Sequence, residues 1–191
     1  MFLEEIDINK IDNLNEEEEA LLKAFSCGKK HIDDYLHSEA LEDLSFGITK
    51  TFLFFGHIDG SKEILGYFTL TSDRVLVTRK SKTEKGLKDW SNPVKRESIP
   101  AIQIHHFAVN KKFQRRGIGS NLIYYVFQFI KSSILPNMGA CLVTVQSEKD
   151  VKEFYKKIGF ESTGQTRDSN CGMAFLTKDF YIEDVIKSSK P

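Results

Sequence analysis

The run Ala108-Val-Asn-Lys-Lys-Phe-Gln-Arg-Arg-Gly-Ile-Gly-Ser120 constrains this chain more than any other segment. The apolar stretch Ile102 to Val109 before it reads as a strand, and Asn121-Leu122-Ile123 after it opens a helix. A short basic loop thus delivers two glycines where a helix begins. Main-chain N–H groups and the positive end of the helix dipole then converge on one point, which suits a pyrophosphate. The spacing excludes the commoner phosphate loops. There is no Gly-x-x-x-x-Gly-Lys-Ser/Thr, and Gly119 is followed by Ser120, Asn121 and Leu122, so Gly-x-Gly-x-x-Gly is absent. What stands is Gln114-x-x-Gly117-x-Gly119. A Cβ at either glycine would hold a phosphate off the backbone. A plain basic turn into a helix is the alternative.

That motif follows an Ala-Val-Asn strand end, and Glu153-Phe-Tyr-Lys-Lys-Ile-Gly-Phe160 lies about forty residues on. Together the two segments resemble the acetyl-CoA signature and the Phe-Tyr-x-x-x-Gly-Phe element of the GNAT acetyltransferase superfamily. The resemblance implies an α/β (α+β) fold: a mixed, mostly antiparallel sheet splayed at a central strand, with helices on both faces. It implies that the pantetheine arm of acetyl-CoA pairs with backbone around Phe107 and Val109. The pyrophosphate would rest on the N–H groups of Gln114, Arg115, Arg116, Gly117, Ile118, Gly119 and Ser120. Lys112, Arg115 and Arg116 either add charge there or simply face solvent.

Acetyl transfer from a thioester to a primary amine must remove a proton from the amine and supply one to the departing sulfur. In the family the tyrosine matching Tyr155 commonly supplies it, so the resemblance makes Tyr155 the general acid. Periodicity alone gives a different role, because Val151, Phe154, Tyr155 and Ile158 share one apolar helical face. His105 and His106 are neighbours on the central strand and are expected to point to opposite faces. One of them, His106 in the site proposed here, could take the amine's proton; a core or surface role fits equally, and water can do the same work. The five histidines are scattered and offer no metal cluster, and no Ser-His-Asp arrangement stands out. Direct attack without an acyl-enzyme follows. Cys141, in an apolar strand, is expected to be inert.

The N-terminal half carries a second resemblance. Phe25-x-Cys27-Gly28-x-x-x-Ile32-Asp33-x-Tyr35-Leu36, Ala40, Gly47, Thr51-Phe52-Leu53 and Ile64-Leu-Gly-Tyr-Phe-Thr-Leu70 are similar to the branch holding toxin acetyltransferases of toxin–antitoxin pairs. Those enzymes acetylate the amino group of aminoacyl-tRNA. The expected partners are therefore acetyl-CoA, an amine acceptor (aminoacyl-tRNA in the toxin reading), an antitoxin protein and a second copy of the chain. A non-catalytic acyl-CoA sensor on the same fold is the alternative of another class.

The 191 residues suit one domain spanning 1–191. No apolar run is long enough for a transmembrane helix, and Met-Phe-Leu-Glu-Glu lacks the basic head of a signal peptide. With three unpaired cysteines, a cytoplasmic protein is expected. Net charge is zero, yet the first twenty residues hold eight acids against Lys10, and Arg74 to Arg116 holds twelve Lys/Arg against Glu84, Asp89 and Glu97. Such a basic stretch would attract phosphates or an anionic acceptor.

The element reading runs as a strand over Phe2–Ile11, a helix from near Asn15, and a second helix ending near Gly47. A hairpin over Thr51–Ile58 and Ile64–Leu70 turns at Asp59-Gly60, and Ser72–Val77 gives an edge strand. Arg79–Pro100 is a lysine-rich loop with Trp90. Ile102–Val109 is the central strand, Gly117–Ser133 a helix stopped by Pro136 and Gly139, and Cys141–Gln146 a buried strand. A capping box over Ser147 to Asp150 opens the next helix, Gly159 ends it, and Phe160–Gly164 and Gly172–Thr177 close the sheet.

Overall fold

The computed structural model describes residues 3–78 and 96–180. Most of the lysine-rich loop, Trp90 included, lies outside the described residues. Among the described residues, seven strands form one sheet in the order β1-β2-β3-β4-β5-β7-β6. They are β1 Leu3–Lys10, β2 Lys50–Ile58, β3 Ser61–Thr78, β4 Arg96–Val109, β5 Leu142–Ser147, β6 Glu161–Arg167 and β7 Asn170–Leu176. The pairs β1–β2, β2–β3, β5–β7 and β6–β7 are antiparallel, so the expected α/β fold with a mostly antiparallel sheet is found. The chain divides into two compact units, Met1–Thr71 with Ile104–Gln128, and Ser72–Gln103 with Phe129–Pro191.

In the first unit, α1 (Glu16–Ala24) opens on a capping box. The Asn15 side chain accepts from Glu18 N–H, and the Glu18 carboxylate accepts from Asn15 N–H. Four glutamates in its first turn face the positive end of the helix dipole. α2 (Lys30–Asp34) runs through a π turn, Tyr35–Glu39, into α3 (Ala40–Ser45). The wider turn shifts the phase of the following residues, so Tyr35, Leu36 and Ala40 are buried while Leu41 is 53% exposed. The helix ends at Gly47, which is left-handed. The core gathers Phe25, Tyr35, Leu36, Leu53, Phe55, Tyr67 and Ala108.

Asp59 and Gly60 both have positive φ (51° and 81°), as a two-residue hairpin turn requires. β3 is one strand of 18 residues rather than the two expected. It absorbs an irregularity at Leu65, where pairing passes from Phe54↔Gly66 to Phe55↔Ile64.

In the second unit, one face of the strands buries Val75, Ile99, Ala101, Leu142 and Ala174. Tyr155, Phe160, Phe175 and Phe180 form a run of ring contacts 5.1–5.8 Å apart. Three expectations need correction here. β4 begins at Arg96, not Ile102, and takes Pro100 into the strand; proline lacks only the N–H, and its carbonyl accepts from Cys141 N–H at 2.9 Å. Cys141 therefore lies just before β5 and is half-buried. Ser147 does not cap a helix: it is the last residue of β5, paired with Cys171, and its hydroxyl donates to Glu148 O. The helix α5 (Lys152–Ile158) starts after a turn at Val151 and makes no side-chain cap. Gly159, at φ +104°, ends it as expected. Helix α4 covers Ile118–Phe129 and passes into a second π turn, Ile130–Ile134.

Candidate functional site

The loop after β4 is fixed at several points within the first unit. Asn110 is buried: its N–H donates to Leu65 O (2.8 Å) and its amide to Ile64 O (3.0 Å), while its side-chain oxygen accepts from Lys112 N–H. Lys111 N–H donates to Ser26 O at 2.9 Å. Gln114 reaches back, its Nε2 donating to Cys27 O (2.7 Å) and Val109 O (2.9 Å). The glutamine of the motif thus ties the loop down through its side chain, a role the spacing did not reveal.

The Ser26–Cys27 segment it grips is itself held. Asp33 accepts from Cys27 N–H (2.8 Å) and Ser26 Oγ (2.7 Å). Burial pushes the Asp33 carboxyl up, but these hydrogen bonds outweigh it and keep it below its ordinary value. Burial raises the Cys27 thiol to about 11, which leaves it unreactive.

Arg115 (φ 61°) and Gly117 (φ 79°) are both left-handed, and the chain turns there into α4. The first bonds of that turn run from Ser120 and Asn121 N–H to Gly117 O. The N–H groups of Ile118 and Gly119 precede the first helical donor and face outward from the helix start. No atom lies within 4 Å of a Cβ built on Gly117, so its conformation, not crowding within the protein, requires glycine. Gly119 sits in the first helical turn. Gln114, Arg115, Arg116, Gly117 and Ser120 are exposed, Ile118 is buried, and Phe107 and Val109 are half-buried. Lys112 is engaged with Glu63 (3.0 Å), so much of its charge is compensated.

His105 and His106 do not point apart. Their Nδ1 atoms are 2.9 Å from each other and their rings meet edge to face at 4.5 Å. Strand alternation breaks at this pair, as it does at a bulge. His106 stacks on Tyr35 at 3.8 Å, and the Tyr35 hydroxyl lies 3.1 Å from Asp43 and 3.0 Å from Thr49. Burial, then the neighbouring His105 and His31, pushes the His106 imidazole down to about 3. Such a ring is neutral at pH 7 and a weak base; it is half-buried and stacked on Tyr35. Burial lowers His105 as well. Tyr35 sits in the π turn; the sequence marks it only as part of the N-terminal resemblance, because its contact with His106 joins residues far apart along the chain.

Tyr155, in the second unit, is buried against Phe154 and Phe160 (5.2 and 5.4 Å between ring centres). Burial, and after it the carboxylate of Glu148, raises its phenol above the ordinary value. It therefore stays protonated across the physiological range. Among the described residues no cluster of three or more His, Cys, Asp or Glu suits a metal ion, and no helix is long and apolar enough to cross a membrane.

Residues 90–176 match the family model described as an acetyltransferase (GNAT) domain. Among solved structures, AtaT complexed with acetyl-methionyl-tRNAfMet is 20% identical, with 94% of this chain and 99% of that one covered and a TM-score of 0.72. A Tyr-to-Phe mutant of KacT gives 17% identity, 94% and 99% coverage and a TM-score of 0.71. AtaTR bound with acetyl-CoA gives 20%, 93% and 97%, and 0.70. These likenesses establish the fold. Residues 90–176 thus match an acetyltransferase (GNAT) domain model, and the chain shares its fold with AtaT and KacT.

Proposed function

We propose that the chain transfers the acetyl group of acetyl-CoA directly to a primary amine. The observation that carries this is the loop of residues 110–120. It is pinned through Asn110 and Gln114, turned by a left-handed Gly117, and presents the N–H groups at the start of α4. In this reading they bind the pyrophosphate, with Arg115 and Arg116 beside it, and backbone around Phe107 and Val109 receives the pantetheine arm. Val109 O already accepts from Gln114, which leaves it one lone pair for that role.

The amine nitrogen attacks the thioester carbonyl, the C–N bond forms and the C–S bond breaks. The amine proton passes to water, because His106 is too weak a base to compete. Tyr155, held protonated by burial, donates a hydrogen bond to the departing sulfur and supports its protonation. Free-thiol release with a panel of amines tests the activity. Turnover is expected with wild type. Tyr155→Phe should lower kcat by about 10²–10⁴-fold with acetyl-CoA affinity retained. A chain that binds acetyl-CoA and turns over no amine would be a sensor instead.

A second reading makes aminoacyl-tRNA the acceptor and the chain a toxin with an antitoxin partner. Its support is the match along nearly the whole chain to AtaT captured with acetyl-methionyl-tRNAfMet, and to the KacTA–DNA complex. Induction should then stop growth and in vitro translation, and Tyr155→Phe should relieve both. Normal growth on strong induction overturns this second reading and leaves the first standing.

A further inference from the structure

The segment Ser26-Cys27-Gly28 joins α1 to α2 and lies against the loop that follows β4, all within the first unit. Phe25 and Cys27 bury their side chains in the core, which fixes where the segment lies but not which way its peptide groups face. A trans peptide is planar, with N–H and C=O pointing in opposite directions, so holding one end aims the other. In the peptide joining Ser26 to Cys27, the N–H donates to Asp33 Oδ1 (2.8 Å) and the carbonyl accepts from Lys111 N–H (2.9 Å). In the next peptide, joining Cys27 to Gly28, the N–H donates to Ser26 Oγ (3.1 Å) and the carbonyl accepts from Gln114 Nε2 (2.7 Å). Ser26 Oγ in turn donates to Asp33 Oδ2 at 2.7 Å.

Both peptide groups are therefore held in the same sense. Their N–H ends lead to Asp33, one directly and one through the Ser26 hydroxyl, and their carbonyl ends lead to the loop. Hydrogen bonds strung through a peptide group polarise one another, and a carboxylate at the N–H end makes the carbonyl a better acceptor. Asp33 is itself set on the first turn of α2, where its N–H donates to Lys29 O at 3.0 Å. On the loop side, Gln114 is followed directly by left-handed Arg115 and then by Gly117, so its position sets where the amides at the start of α4 point.

We infer that Asp33 is a positioning residue for acetyl-CoA: through the peptide groups of Ser26–Cys27 and Cys27–Gly28 it orients the loop whose amides receive the pyrophosphate. The inference rests on the transferase reading above and adds to it a residue that acts on the cofactor through others.

The test is calorimetric titration of the full-length protein with acetyl-CoA, followed by free-thiol release with the amine that the panel identifies. The variants are Asp33→Ala, Ser26→Ala, Gln114→Ala and the pair Ser26→Ala with Gln114→Ala. Asp33→Ala removes hydrogen bonds to a charged group and should weaken acetyl-CoA binding about tenfold. KM for acetyl-CoA should rise with it, while kcat and KM for the amine hold, a split that a general loss of folded protein would not give. Ser26→Ala breaks only the path that ends at Gln114. It should weaken binding several-fold in the wild-type background and add little once Gln114 is alanine. If Asp33→Ala fails to fold, Ser26→Ala and its pairing with Gln114→Ala decide. Asp33→Ala or Ser26→Ala that binds like wild type, a kcat that falls while KM for acetyl-CoA holds, or equal losses from Ser26→Ala with and without Gln114 overturn the inference. These leave the transferase reading standing as long as wild type binds acetyl-CoA and turns over. Folded wild type that takes up no acetyl-CoA sinks both.

Discussion

Gly66→Ala joins the packing of the first unit to the cofactor loop, and its cost follows from the geometry. A Cβ at Gly66 would lie 2.3 Å from Ala108 O and 2.9 Å from Leu122 Cδ1. Unstrained contacts between carbon atoms lie at about 3.5–4.0 Å. Leucine's terminal methyl can swing aside, but the carbonyl belongs to the backbone of β4 and must move by roughly 1 Å. Overpacking typically costs about 1–3 kcal/mol, and a main-chain obstacle puts this change at the upper end. For a chain of this size that is a fall in Tm of roughly 6–12 °C. Ala108 is also the residue before Val109 and Asn110, whose hydrogen bonds set the loop. The variant should therefore lose acetyl-CoA affinity beyond what its lower stability explains. Urea denaturation and calorimetric titration with acetyl-CoA below Tm measure both effects. An alanine variant as stable and as tight-binding as wild type would refute the close approach of β3 to β4.

Gln114→Ala removes two hydrogen bonds that pin the loop, to Cys27 O and Val109 O, at about 0.5–1.5 kcal/mol each; acetyl-CoA affinity should fall several-fold with the fold intact. Burial holds His106 near 3 against 6.5, so the unfolded chain takes up the proton first as pH falls. Stability should thus be flat above pH 6.5 and decline towards pH 3, by on the order of 2–4 kcal/mol for this group. His106→Phe, which keeps a ring on Tyr35, should flatten that decline in pH-dependent denaturation; an unchanged acid limb counts against burial as its cause. Asn15→Ala removes the cap of α1 and should cost about 1 kcal/mol in the same assay, with no effect on acetyl-CoA affinity.

Features set by a few neighbouring residues were legible in the sequence. The Asp59-Gly60 turn, the left-handed Gly159 and the loop around Gly117 each follow from local backbone preference, and the structure shows all three. Features set by a partner strand were not. Alternation placed His105 and His106 on opposite faces, and only the structure reveals that their rings meet. The π turn at Tyr35–Glu39 likewise leaves no mark in a 3.6-residue pattern, and the exposure of Leu41 after it shows only in the structure. At Ser147 the capping pattern was genuine by spelling, but pairing with Cys171 claimed the residue for β5. The β6–β7 turn uses Asp168 and Ser169 with positive φ, where neither residue is glycine and the usual signal is missing. Gln146 reads as the end of an apolar strand; that its side-chain oxygen is buried without a protein partner shows only in the structure.

Titration calorimetry of acetyl-CoA into wild type and Gly117→Val asks most directly whether the amides beyond β4 hold the cofactor. Wild type should take up one equivalent. The valine variant, forced into a left-handed backbone that costs about 1–3 kcal/mol, should bind roughly 5- to 150-fold more weakly while remaining folded. Folded wild type that takes up no acetyl-CoA, or a valine variant that binds as tightly as wild type, contradicts the account.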